Sequence, residues 1–463
     1  MISREDLFKI RHIQKINTDK YIKRNYKSVG IDSRNIKKGE LFFAIKGERT
    51  DGHKYLDSVF DKGIELAVVN DTWFIKNKKK FPGKSFLTVR DTTKALGELA
   101  LHHKANFKIP VLCIAGSNGK TTTKDLTAEV LSQKFKVLKT EGNFNNHIGL
   151  PLTLLRLDRT HEICVLEAGC NHYGELKYLC EIAEPDYGMI TNIGKEHLEF
   201  FKNLEGVAKA EFELFDYLKS KEKGILFINS DDKLIRNYSR EVKSEKRFTY
   251  SYKFNTVVKG RFKGYNKNFE PEIRITKDDM EFKTSVATFG KHSVYNGLAA
   301  AAAGLYFNVS PAKIKSALKN FKVTSSKRME VVRKNDLTII NDSYNSNPES
   351  VKMGLETLME YKSKGKKFAV LSDMLELGSS RRKEHSEAGK LAQKLKVDNL
   401  YTFGNESYNT FKNAKKIKNN FYFKDKEDLI EMLKLNLGKN DIVYVKGSRG
   451  MKMEEVVTAL TKN

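Results

Sequence analysis

Cysteine is scarce in this chain, with four among 463 residues. Cys113, Cys164, Cys170 and Cys180 form no C-x-x-C pair and lie in or beside apolar runs. That argues against a disulfide framework and predicts reduced, buried thiols of a cytosolic protein. Long apolar runs are missing too. None approaches the roughly 20 residues that a membrane span needs, so no membrane insertion is expected. The opening segment MISREDLFKI carries acids and lacks an apolar signal core, so no secretion signal is expected and the location expected is cytoplasmic. Internal repeats and low-complexity linkers are also lacking.

What is present is a long, mixed and basic chain. Domains usually hold roughly 100–200 residues, which predicts about three. Hydrophobic residues make up 40% and aromatics 10%, enough for buried cores, and this excludes a disordered chain. The formal net charge is +26, a balance that suggests an anionic partner such as nucleic acid. Its distribution weakens that reading: +10 over residues 1–107, +8 over 108–324 and +8 over 325–463. The densest run, Lys76 to Lys84, contains one aromatic, Phe81, and no recognisable nucleic-acid module. The expectation is a lysine-rich solvated surface and no nucleic-acid partner.

Hydropathy rhythm sets the fold class. Ser3 is placed to cap a short helix through Arg11, and Thr92 to His103 reads as a second helix. Runs of strand length stand at Leu41–Ile45 and Leu66–Val69. The middle third carries buried-strand runs at Val111–Ala115, Ile163–Leu166, Tyr187–Ile190 and Ile225–Ile228, with helical segments between. That alternation predicts a mostly parallel, doubly wound sheet. Residues 250–290 alternate polar and apolar side chains, which predicts a β-rich excursion. The α/β rhythm restarts with strands expected at Leu337–Ile340, Phe368–Leu371, Leu400–Phe403 and Ile442–Val445. The fold class expected is α/β in three domains, at residues 1–107, 108–324 and 325–463.

The first chemistry-bearing motif follows the run Val111–Ala115. Gly116-Ser117-Asn118-Gly119-Lys120-Thr121-Thr122 leads into a helical pattern reaching about Phe135. Glycines let the backbone curl so that its N–H groups converge on an anion, and a helix N-terminus adds partial positive charge. Lys120 is placed to reach β- and γ-phosphates and the Thr121 hydroxyl to ligand Mg²⁺. Ile114 occupies the place of the first glycine of the usual Walker pattern, so this loop is a shorter variant.

The loop and its surroundings resemble the Mur ligase family, ATP-dependent enzymes that join amino acids to the UDP-sugar precursor of peptidoglycan. The resemblance covers nearly the whole chain. It implies a UDP-binding N-terminal α/β domain, a central P-loop ATPase-like domain and a Rossmann-like C-terminal domain that closes over the site. Asp32-Ser33-Arg34, with Gly39–Ala44 and Asp51-Gly52-His53, resembles the UDP-binding segment and implies Ser33 and Arg34 as diphosphate contacts. Gly142 to Pro151 resembles the substrate loop and implies Asn145 and Asn146 as contacts; His147 departs from the acidic residue expected there. Glu167 stands at the position of an Mg²⁺ ligand and His197 at that of a second ion. Two Mg²⁺ ions held by Thr121, Glu167, His197 and Glu211 are thereby implied.

Glu211 is the main departure from the family pattern. A lysine that becomes a carbamate is usual there, so Glu211 is expected to supply the carboxylate directly; Glu213 and Lys209 are the alternative counterparts. His292 and Asn296 match an adenine-side segment, Arg328 a hinge-side ATP contact, and Asp342 a contact made on closure. Segments Asp342–Pro348, Leu371–Gly378 and Lys446–Arg449 resemble the member that adds D-alanyl-D-alanine to UDP-N-acetylmuramoyl-tripeptide, with Asn345, Asn347 and Arg449 implied near the dipeptide or ATP. A monomer is expected. The alternatives are the diaminopimelate- or lysine-adding ligases, the folate polyglutamate ligase and, in a different class, a P-loop ATPase that binds nucleic acid.

Overall fold

In the computed structural model, described over residues 1–18, 25–48, 50–323 and 327–462, the chain builds three sheets in sequence. The expected division at 324/325 lies outside the described residues. The first sheet holds β1 (Gln14–Ile16), β2 (Val29–Gly30), β3 (Leu41–Phe43), β4 (Leu66–Asn70) and β5 (Ser85–Val89), in the order β1-β5-β4-β3-β2. Strands β2 to β5 are parallel neighbours, and β1 runs antiparallel to β5 at the edge. Ser3 caps the first helix by accepting from the Asp6 N–H, but that helix ends at Phe8, short of Arg11. The expected strand from Leu41 stops at Phe43, because the chain then turns so that Lys46 bridges to Asp51.

The helix Thr92–Lys104 joins this sheet to the next unit. Asp91 caps it by accepting from the Thr93 and Lys94 N–H groups. Gly97 faces Tyr178 and Ile182 so closely that a methyl there would meet both, which seats the helix on the central unit. Asn106 donates to both oxygens of Asp6 at 3.1 Å, and Lys104 pairs with Glu184 at 2.9 Å.

The central sheet holds β6 (Val111–Ala115), β7 (Val137–Lys139), β8 (Ile163–Glu167), β9 (Tyr187–Ile190), β10 (Ile225–Asn229), β11 (Arg247–Ser251), β12 (Val258–Tyr265), β13 (Pro271–Lys277) and β14 (Met280–Ser285). Its order is β14-β13-β12-β11-β10-β9-β6-β8-β7. Strands β6 to β12 pair in parallel, while β12, β13 and β14 form an antiparallel meander, the excursion expected from the alternation in 250–290. Chain order reverses direction around β6, with β8 and β7 on one side and β9 on the other. In doubly wound sheets ligands bind at the carboxyl ends of the strands beside that reversal, and here that is where Gly116 to Gly119 lie. All four cysteines are buried and unpaired.

The last sheet holds β15 (Glu330–Lys334), β16 (Leu337–Asp342), β17 (Lys367–Ser372), β18 (Asn399–Phe403), β19 (Asn419–Phe423) and β20 (Ile442–Lys446), in the order β15-β16-β20-β17-β18-β19. All neighbours are parallel except the edge pair β15 and β16. The carboxyl ends of β16 and β20 bring Asp342 and Lys446 side by side. No helix among the described residues is long and apolar enough to cross a membrane. Lys76, Lys78, Lys79, Lys80 and Lys84 are exposed.

Packing couples this last sheet to its site. Gly354, within the helix Pro348–Glu360, lies against the hydroxyl of buried Tyr444, and that hydroxyl donates to Asp342 Oδ2 at 3.1 Å. A methyl at Gly354 would occupy the place of the hydroxyl. Gly354→Ala is therefore expected to destabilise the C-terminal unit by about 1–3 kcal/mol, the usual cost of overpacking. Urea denaturation followed by a probe in that unit measures it, and an unchanged midpoint would contradict the packing described.

Candidate functional site

Two glycine conformations shape the phosphate loop. Gly116 has φ 114° and Gly119 φ 80°, both in the left-handed region. A side chain at Gly116 would strike Thr191, and one at Gly119 would lie 2.6 Å from Asn296 Oδ1. The segment after β9 braces the loop. Ser117 N–H donates to the Asn192 carbonyl at 2.9 Å, Gly194 N–H donates to Ser117 Oγ at 2.8 Å, and Asn118 N–H donates to Asn192 Oδ1 at 3.1 Å. The helix Lys120–Ser132 starts immediately after, so its free N–H groups face the same hollow.

Beneath the loop lies a knot of charge. Lys120 Nζ donates to the Gly116 carbonyl and stands 3.5 Å from Glu196 Oε2. Burial works against its charge, but Glu196, Glu211 and Glu167 outweigh that and hold the ammonium above its usual range. Glu211, at the end of the helix Leu204–Glu211, is 1% exposed, and its Oε2 accepts from the Gly116 N–H at 2.7 Å. Burial pushes its carboxyl up to about 8; Lys120 opposes the rise and Glu196 adds to it. Glu211 thus lies behind the loop and is not among the residues lining the cavity. One oxygen of the carboxylate expected to face a metal is thus committed to the loop backbone.

Glu167 ends β8 and is 1% exposed. Its Oε1 accepts from Thr121 Oγ1 at 3.1 Å and Asn145 Nδ2 at 2.8 Å. Its Oε2 is buried and has no hydrogen-bond partner among the described residues. An orphaned carboxylate oxygen is costly inside a protein and is satisfied by a cation. With the Thr121 hydroxyl beside it, the donor set is the sparse hard-oxygen kind that suits Mg²⁺, which keeps several waters and takes other ligands from substrate phosphates. Among the described residues no three His, Cys, Asp or Glu side chains form a ready-made metal cage. His197 lines the same cavity, and its Nδ1 lies 2.5 Å from Glu376 Oε2.

The cavity, of about 480 Å³, opens between the loop and the C-terminal unit. It gathers Ser117, Asn118, Gly119, Lys120, Thr121 and Thr122 with Asn145, Asn146, Glu167, His197, His292 and Asn296, and across from them Arg328, Asp342, Asn345 and Asn347. Asn347 caps the helix Pro348–Glu360 and also donates from Nδ2 to Asn118 Oδ1 at 3.0 Å, a direct tie from the C-terminal unit to the loop. Arg328 lies over the Tyr344 ring at 3.8 Å. Asp342 is held by Lys446 at 2.5 Å. Asn146 spends its Oδ1 on the N–H groups of Ile148 and Gly149, so the structure gives it a turn-shaping role. Asn345 Oδ1 accepts from the Ser346 N–H in the same way.

Three expected residues lie elsewhere. Ser33 and Arg34 sit in an exposed turn of the first unit, where Arg34 forks onto Asp32 and is 85% exposed. That pairing holds the Asp32 carboxyl down at about 2. Arg449 pairs with Glu454 at 2.9 Å, with its ring-facing side toward Tyr344. Two contributors were passed over in the sequence. Glu196 is the acid immediately before His197, and Lys446 ends the apolar run of β20; an ionisable residue closing a buried strand was the available signal for the second.

His292 carries a pH consequence. Burial pushes its imidazole down to about 4 although Asp342 pulls the other way, and its Nδ1 has no partner. The unfolded chain binds a proton there near the ordinary value of 6.5 and the folded chain only near 4, so acidification through that window favours unfolding. Stability present above pH 6.5 should fall between 6.5 and 4, and His292→Gln should lose less over the same range. Urea midpoints at pH 7, 5.5 and 4.5 measure this; parallel curves for the two chains would refute it.

Family models described as the Mur ligase family catalytic domain, the Mur ligase middle domain and the Mur ligase glutamate ligase domain match residues 25–104, 114–304 and 327–449. The chain is 36% identical over 442 residues to the UDP-N-acetylmuramoyl-tripeptide–D-alanyl-D-alanine ligase of Bacillus subtilis, covering 94% of this chain and 93% of that one. It is 33% identical to the ligase of the same name in Escherichia coli, covering 94% of each. Among solved structures, MurF from Acinetobacter baumannii superposes with a TM-score of 0.88 at 26% identity, over 99% of this chain and 98% of that one. MurF ligase from Thermotoga maritima in complex with ADP gives 0.79 at 27% identity, over 93% and 96%. In fold, in the loop that opens its central sheet and in relatives spanning almost its whole length, this chain belongs to the Mur ligase family.

Proposed function

We propose that this chain is an ATP-dependent ligase that adds D-alanyl-D-alanine to UDP-N-acetylmuramoyl-tripeptide, releasing ADP and phosphate. The observation that carries the reading is the loop site of half-buried Lys120 and buried Glu167, closed from across the cleft by Asn347. The curated relatives that span the chain bear the name of that reaction. Residues 1–107 hold the UDP-sugar, 108–324 hold ATP, and 325–463 close over ATP and the dipeptide. The reaction belongs in the cytoplasm, and one chain supplies every residue of the cleft.

The chemistry follows from the donors present. A carboxylate is inert to an amine at neutral pH because its oxygen leaves poorly. The terminal carboxylate of the tripeptide attacks the γ-phosphorus of ATP, the bond to the β-phosphate oxygen breaks, and ADP departs. The amine of D-alanyl-D-alanine then attacks the acyl carbon, the bond from that carbon to the phosphate oxygen breaks, free phosphate leaves and the amine's proton passes to solvent. Both steps crowd anions together. Lys120 and the N–H groups at the start of its helix oppose that charge without reorganising. Magnesium supplies charge neutralisation at the phosphates, and Thr121, Glu167 and His197 are the residues that hold it, with Glu211 acting on the same site through the loop backbone. Alignment of the two reactants can remove roughly 7–11 kcal/mol of barrier. Asn118 and Asn347, bound to each other, keep the loop and the C-terminal unit in register while water is excluded.

ADP release from the purified chain should require the UDP-muramyl tripeptide and D-alanyl-D-alanine together. Lys120→Ala should lower ligation at least about a hundredfold, the scale of removing one preorganised charge, while binding of the UDP-substrate stays within about twofold. Coupled ADP detection and calorimetry measure the two arms. ADP release stimulated by nucleic acid, or joint loss of ligation and UDP-substrate binding, would overturn the reading.

A further inference from the structure

The C-terminal unit carries a second hollow, at the edge of its sheet opposite the cleft. The cleft opens at the carboxyl ends of β16 and β20, where Asp342 and Lys446 lie. The second hollow, of about 1030 Å³, is lined by the segments that lead into β17, β18, β19 and β20, so it lies at the amino ends of those strands. Each of these connections brings lysine to its rim. Lys364 and Lys366 precede β17, Lys396 precedes β18, Lys416 and Lys418 precede β19, and Lys439 precedes β20. All six are exposed. Among the described residues none has an ion-pair partner, and none of their ammonium groups donates a hydrogen bond.

Lysines often gather at helix carboxyl ends to oppose the exposed carbonyls. Lys367 does so here, donating to the Met359 carbonyl, but the six do not. The acids in the hollow do not balance them either. Asp398 accepts from the Lys367 N–H at 2.9 Å, and Asp441 accepts from the Lys366 and Gly438 N–H groups at 2.6 and 2.7 Å. Even with both carboxylates counted, six ammonium groups face two. The lining also says which polyanion fits. It holds no aromatic or arginine side chain, the groups on which single-stranded nucleic acid stacks and which grip a phosphate as a fork. Lysines are flexible point charges that suit a diffuse layer of anionic headgroups. Beside the hollow, the helix Lys426–Asn436 turns Leu435, 81% exposed, and Met432 to solvent one turn apart. Apolar side chains beside lysines are what an interfacial surface buries at the headgroup boundary.

We propose that this lysine-rimmed face docks the protein on an anionic lipid surface, with headgroups against the six lysines and Leu435 in the boundary layer. The contact is peripheral and needs no spanning helix. Because the face lies at the sheet edge opposite the cleft, the cleft stays open to solution while the protein is docked. The proposal stands on the charge and shape of this face and does not depend on the ligase reading.

The test sediments the full chain with vesicles of phosphatidylglycerol and phosphatidylcholine in equal parts, and with vesicles of phosphatidylcholine alone. The chain should pellet with the first and not with the second. Binding should fade between about 0.1 and 1 M salt as the screening length shrinks. Each lysine near an anionic leaflet strengthens binding about fivefold. Lys366→Gln, Lys396→Gln and Lys418→Gln together should therefore weaken it about a hundredfold, and Leu435→Ser should weaken it further. Removing as many charges from the densest run in the sequence, by Lys76→Gln, Lys79→Gln and Lys80→Gln, should cost no more than about fivefold, since that run lies on another unit and acts only through screened charge. All these side chains are exposed, so urea midpoints should not move, and ADP release in solution should keep its rate. No binding to the anionic vesicles overturns the proposal. So does equal loss in the two triple variants, or binding that the first leaves unchanged. An oligonucleotide that outcompetes the vesicles and loses its hold in the same triple variant would assign the face to nucleic acid and overturn it too. A chain that pellets as described but performs no ligation would sink the ligase reading and leave this one standing.

Discussion

One half-buried ammonium among three carboxylates is the constraint on which the site depends. Lys120 sits under the loop with Glu167, Glu196 and Glu211, each of which raises its basicity. A buried charge is tolerated only when paired, and here the pairing is unequal. The carboxylates outnumber the cation, and part of the imbalance falls on Glu211, whose carboxyl burial pushes upward. The rest is left open at Glu167 Oε2, which has no partner. The pocket is thus short of positive charge inside while it offers N–H groups at its mouth. That combination suits a cation arriving together with phosphates, and it would be a poor design for either alone.

The surrounding architecture serves that imbalance. Glu211 fixes the loop by taking the Gly116 N–H, and Gly116 can turn that N–H inward because its backbone is left-handed. Gly119 lets the helix beginning at Lys120 start against Asn296 without a side chain between them. Reversal of strand order around β6 then places the opening at the sheet edge that the C-terminal unit can reach.

The sequence carried the scaffold and the loop far more clearly than the links between units. Val111–Ala115, Ile163–Leu166 and Ile442–Val445 are buried strands whose apolar runs stand out unaided. Strands β7 and β15 escaped because they are short or charged and sit at sheet edges, where half-buried residues suffice. Strand β5, fully buried, escaped because Ser85 and Thr88 interrupt its apolar run. In the site, Lys120, Thr121 and Glu167 were readable because strand, turn and helix follow one another along the chain. Glu196 and Lys446 were not, since their roles arise from neighbours 76 and 104 residues away. Glu211 shows the limit from the other side: its position was identified, but whether it faced the cleft or the loop depended on packing that no local pattern records.

Across the cleft, polar ties stand beside an aromatic contact in which Tyr361 packs on Phe269 and Phe289. Asn118 with Asn347, Lys195 with Glu349 and Glu384, and Glu199 with Glu376 are polar contacts, several made through backbone atoms. Polar interfaces of this kind hold weakly, because each bond replaces one to water and the net gain is only about 0.5–1.5 kcal/mol. Because those ties end on Asn118 and on the segment carrying His197, they form at the residues that bound phosphates must organise. Substrate occupancy and closure then favour each other through the same few atoms.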